Sequence, residues 1–255
     1  MKSQVVSLFK IKKNGDLGGP AGVLFSTIVM FLLAQLAAAF IIGVILALTH
    51  NADQAKYLFD HSAAWQFGFI FIAEALAVAL VLAILKLRRV KIGFIGLGRR
   101  FKVSDLKHAA LGVLSFYGLL IIVSILIGIF LPGINPQQKQ DLGFNNLVGL
   151  SDNIFAFVGL VLLPPLGEEI MIRGYLFSGL RARINYWQAA IITSLLFGFA
   201  HLEIGSGGPL VWAAAIDTFI LSMVLVSLRE RTGALYAGMI VHMLNNLVAF
   251  SVHYH

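Results

Sequence analysis

Seven stretches of this chain, near 21–49, 64–87, 108–131, 153–180, 187–202, 209–228 and 233–252, are apolar over most of the ~20 residues that a helix needs to cross a bilayer core. Inside lipid every backbone amide and carbonyl must find a partner within the protein, which leaves helices and closed barrels as the spanning structures. Runs of this length predict an all-α, multi-pass transmembrane helical bundle of about seven spans, or eight if a re-entrant piece forms within 134–151. The fifth stretch is short and qualifies only in the company of the others. Composition agrees: 59% of the 255 residues are hydrophobic and 12% are charged, against about a quarter charged in soluble domains. The 25 glycines suit helices that approach closely in lipid. No repeat or linker divides the chain. The reading is one membrane domain: an N-terminal segment 1–20, transmembrane helices over 21–131 and a helical core over 150–253.

Charge orients the bundle. Lys2, Lys10, Lys12 and Lys13 precede the first span, and eight basic residues from Lys86 to Lys107 crowd the connection between the second and third. Arg181 and Arg183 follow the fourth, and Arg229 and Arg231 the sixth. The alternate connections are poor in Lys and Arg, so the basic ones mark the cytoplasmic side, with the N-terminus there too. A bacterial cell membrane is the expected location. The formal charge of +7 therefore reports topology and contact with membrane lipids, not a nucleic-acid partner. The chain has no cysteine, which excludes disulfides, thiolate nucleophiles and sulfur-ligated metals.

Against this apolar background the polar residues inside the spans stand out, because a charge at the bilayer centre costs at least about 2.5 kcal/mol and commonly serves function. They are Glu74, Glu168, Glu169, Arg173, His201, Asp217, His242 and Asn246. Glu169 lies 15 residues before the turn expected near Ile184 and His201 17 after it; His242 and Asn246 lie 11 and 15 beyond the turn near Arg231. At 1.5 Å per residue these four sit roughly 16 to 26 Å from the same side, in one layer. Glu169 and Arg173, four apart, can pair on a helix, while Glu168 points about 100° away. Pro164 and Pro165 remove amide donors just before the carboxylates and predict a kink. Carboxylates, imidazoles, a guanidinium and an amide in a cavity suit hydrolysis of an amide by activated water. The histidines could equally bind a divalent metal, with zinc on Glu168, His201 and His242 as one option.

At these residues the sequence resembles the CAAX-protease and bacteriocin-processing (CPBP, or Abi) family of intramembrane proteases. Glu168-Glu169-Ile170-Met171-Ile172-Arg173 matches its EExxxR motif, Phe197-Gly198-Phe199-Ala200-His201 resembles FxxxH, and His242-Met243-Leu244-Asn245-Asn246 resembles HxxxN. The resemblance covers about 150–250. It implies a membrane endopeptidase acting on a peptide or a membrane-tethered protein, prenylated in one substrate class, with peptide processing and bacteriocin self-immunity as other family roles. In that frame Glu168 and His201 activate water, His242 and Asn246 hold the oxyanion, and Glu169 and Arg173 support the site. The family is often described as metalloproteases, although glutamate-held water would suffice.

The plainer reading of the same residues is interhelical hydrogen bonding by a non-proteolytic scaffold or immunity protein. Glu74 and Asp217, with no motif around them, read as packing partners or cavity-lining groups. Gly205-Ser206-Gly207-Gly208 reads as an external turn, and HExxH is absent.

Overall fold

The computed structural model describes residues 16–131, 133, 134, 138, 140, 142–202 and 210–254. The expectations placed on Lys2 to Lys13 and on Gly205–Gly208 lie outside these residues.

The described chain is all helical, as expected. We number α1 Pro20–Thr49, α2 Ala52–His61, α3 Ala63–Leu87, α4 Val103–Phe130, α5 Gly149–Arg181, α6 Tyr186–Phe199, α7 Trp212–Thr232 and α8 Tyr236–Tyr254. Five of them, α1, α3, α4, α5 and α7, are long and apolar enough to cross a membrane. The expected spans at 187–202 and 233–252 are present as α6 and α8, but neither reaches that standard. Fourteen residues make α6 short, and α8 carries His242, Asn245, Asn246 and His253 along its 19. No eighth span forms among the described residues of 134–148, where the chain is non-helical.

In α1, Pro20 opens the helix with φ already set for it. The helix buries one stripe, including Met30, Ala34, Ala38 and Ile42, and packs it on the Ala73, Ala77, Val81 and Leu85 stripe of α3. Phe25, Leu36, Phe40 and Leu48 face outward, as lipid contact allows. The helix α2 was not foreseen; Asn51 caps it by accepting from the Gln54 amide at 2.9 Å.

The basic connection after α3 is also more than a topology signal. A helical turn at Ile92–Ile95 buries Phe94 and Ile95. The Arg229 guanidinium donates to the Phe94 carbonyl at 2.8 Å and to Ser178 at 3.1 Å. Arg99 holds Asp105 at the start of α4, and this carboxylate, against the opposing effect of burial, keeps the guanidinium protonated beyond its ordinary range. Arg181 pairs with Glu230 at 3.1 Å, Tyr236 donates to the Arg99 carbonyl, and Arg183 pairs with Asp16. These contacts gather the basic ends of the helices at one end of the bundle.

Candidate active site

The site begins with a broken helix. Pro164 and Pro165 cannot donate to Leu160, whether in the α pattern from 164 or the wider π pattern from 165. The helix answers with π-helical stretches at Val158–Leu162 and Glu169–Phe177 on either side of a short α segment. The Leu160 carbonyl is taken instead by the Asn246 side chain of α8 at 2.9 Å. In the second stretch the Ser178 hydroxyl bonds the Arg173 carbonyl. The expected kink is therefore a change of helical pitch, of a kind frequent at functional sites.

The changed pitch sends the two neighbouring glutamates to different surroundings. Glu169 is fully buried and its Oε1 lies 2.9 Å from Nη1 of Arg173, itself fully buried. The same oxygen is 3.2 Å from Nδ1 of His242. Glu168 keeps about a fifth of its side chain exposed and presents Oε2 3.7 Å from Nε2 of His242, so it is less isolated than its helical phase suggested. The Arg173 guanidinium stacks 4.3 Å above the Phe197 ring, and Phe197 also meets the rings of His201 and His242 edge-on. One buried arginine is thus enclosed by a carboxylate and an aromatic face, with an imidazole on the far side of that carboxylate.

Both histidines have one nitrogen committed. A carbonyl only accepts, so His201 donates Nδ1–H to Phe197 at 2.8 Å, leaving Nε2 as the acceptor of the ring. His242 is oriented through Nδ1 by Glu169 in the same manner. Such partners fix the tautomer and aim of an imidazole.

Glu168, His201, His242 and Asn246 line one cavity of about 220 Å3, together with Thr218 and Asn245. Thr218, on α7, was missed because a lone threonine in a spanning helix carries no motif. Its neighbour Asp217 is exposed on α7 and does not line the cavity, correcting the packing role expected for it. Glu74 of α3 is half-buried, and its carboxylate lies so close to Gly167 that a Cβ there would come within 1.9 Å of Oε2. It faces Glu168 electrostatically, bringing a third carboxylate to the site from the N-terminal half. Among the described residues, no three His, Cys, Asp or Glu side chains are grouped to hold a metal ion. Glu168, His201 and His242 do not form such a group in this arrangement.

The described chain is thus an all-helical membrane bundle with ionisable side chains from several helices around one internal cavity. Residues 150–248 match the family model of type II CAAX prenyl endopeptidases, Rce1-like, which supports a likeness of this part of the chain to the CAAX proteases. A stretch of 96 residues, 37% of the chain, is 31% identical to an Escherichia coli protein described as an uncharacterized 24.3 kDa protein and spans 42% of it. No solved structure matches.

Proposed function

We propose that this protein is an intramembrane endopeptidase in which Glu168 and His201 activate water against a peptide bond. The observation that carries the reading is that side chains from α5, the end of α6 and α8 line one cavity, with Nδ1 of each histidine tied back into the protein. Glu168 accepts the proton of the attacking water while Nε2 of His201 orients the water. His242 in its protonated form, and the Asn246 N–H not given to Leu160, are the donors for the oxyanion. The proton then passes from Glu168 to the leaving amine. Glu169 and Arg173 hold His242 in place and act through it.

Purified protein presented with a panel of membrane-tethered peptides, prenylated and unprenylated, tests the reading. Glu168→Gln and His201→Ala should each lower the cleavage rate by about a hundredfold or more, the scale of a lost general base. Both variants should still insert into the membrane. Full cleavage by either variant, or a partner-dependent phenotype that survives Glu168→Gln, would replace the enzyme with a non-proteolytic scaffold. Chelator added to the wild type decides separately whether a metal takes part.

A further inference from the structure

The geometry points to a substrate that enters from the end of the bundle opposite the basic loops, as a polar juxtamembrane peptide segment and not one delivered from the side of Arg99, Arg181 and Arg231. This deepens the proposed function and rests on the cavity being its site.

Three observations converge. The basic ends of the helices are tied together at one end of the bundle by the Arg181–Glu230, Arg183–Asp16 and Tyr236–Arg99 contacts. The α1 helix, 30 residues or about 45 Å long, runs from that end to α2 at the other. The cavity lies toward the α2 end. Thr218 is six residues into α7 from Trp212 and 13 before Arg231, about 9 Å against about 20 Å. In α6, 14 residues rise about 21 Å from the basic end. His201 therefore sits on a turn at a depth within a core about 30 Å thick, where backbone is tolerated only if buried in protein or lining a water-filled space. The amide of Val211, donating to the Leu202 carbonyl, supplies one partner for that turn.

The third observation is an outlet. Gln140 and Leu142 line the catalytic cavity and also a second cavity of about 670 Å3. That larger space is walled by Asp60 and His61 at the end of α2, Gln66 on α3 and Asn146 of the connection before α5. Its polar wall offers hydrogen-bond partners to an extended peptide, and its position beside α2 sets it away from the basic loops. Between that vestibule and Glu168 the path passes no lysine or arginine among the described lining residues of either cavity. Water for hydrolysis would use the same route.

The chain's lack of cysteine makes the test clean. Single-cysteine variants Thr218→Cys in the cavity, Gln54→Cys on α2 and Ser104→Cys at the basic end of α4 are treated with a membrane-impermeant maleimide, in intact cells and in inverted vesicles. Thr218→Cys should label from the same side as Gln54→Cys, with loss of that labelling when only the Ser104→Cys side is exposed. Labelling of Thr218→Cys from the Ser104→Cys side, or from neither side while both controls react, overturns the proposal. The experiment is repeated in the Glu168→Gln background, where labelling should be unchanged. Labelling thus reports the route without requiring activity, so failure of the protease reading shows up only in the cleavage assay.

Discussion

The helices before and after residue 149 solve the bilayer in different ways. In the first part, α1 and α3 bury narrow stripes of small and aliphatic residues and give the rest of their surface to lipid. In the second part, α5 to α8 bury Glu169, Arg173, Ser178, Thr193, Ser194, Ser222, Arg229 and His242. Lipid-facing leucines are interchangeable with other apolar residues, whereas buried polar groups tolerate few substitutes because each must meet a particular partner. The similarity to a known family falls on the second part, where residue identity is chemically constrained. The first part contributes walls, and one carboxylate, Glu74.

The sharpest test of this contrast is Glu169→Ala. Removing one partner of a buried ion pair leaves Arg173 uncompensated, a loss of about 3 to 5 kcal/mol, and thermal unfolding in detergent should show it beside a nearly silent Leu36→Ala on the lipid face of α1. Similar stabilities for the two variants would break the contrast. Gly198→Val comes next. A Cβ there would lie 2.8 Å from the Ala215 carbonyl, so α6 must move off α7 at a cost of about 1 to 3 kcal/mol. Gly43→Ala in α1, with nothing within 4 Å of its Cβ, should instead stabilise by about 0.5 to 1 kcal/mol through helix propensity. Asn246→Ala should cost about 1 to 2 kcal/mol by orphaning the Leu160 carbonyl, a stability loss to be measured apart from any loss of cleavage.

The smallest effect belongs to Asp16. The Gly18 amide first, and Arg183 second, hold its carboxyl below the usual range. Its contribution is present above the unfolded carboxylate value and disappears as pH falls through the lower folded one. Because the pair is exposed, Asp16→Asn should change stability by less than about 0.5 kcal/mol near neutrality and flatten the acid limb of the stability profile.

How much of this was legible beforehand follows from the same contrast. Apolar run length predicted the helical bundle, since lipid leaves the backbone few options. Depth counting brought Glu169, His201, His242 and Asn246 into one layer, and the structure does bring them together around one cavity and its buried support. What could not be read was pitch. Two π-helical stretches alter the simple 100° step that separated Glu168 from its neighbours, and the first holds the Leu160 carbonyl that the two prolines leave open. The bond from Asn246 to Leu160 closes a gap between residues 86 apart in sequence, and no local pattern announces such a pairing. Glu74 was read only as a packing or cavity-lining group for a similar reason: it lies against Gly167 and faces Glu168, on a helix far along the chain.

The Glu169–Arg173 pair also bears on how the protein is made. A nascent α5 leaving the insertion machinery carries a carboxylate and a guanidinium four residues apart, so the two can neutralise each other before any neighbouring helix arrives. Each charge alone would add roughly 2.5 to 3.5 kcal/mol against entry of the segment into lipid. The pair therefore acts first as a passport for biogenesis, and only after α8 docks does Glu169 take up its second partner, His242.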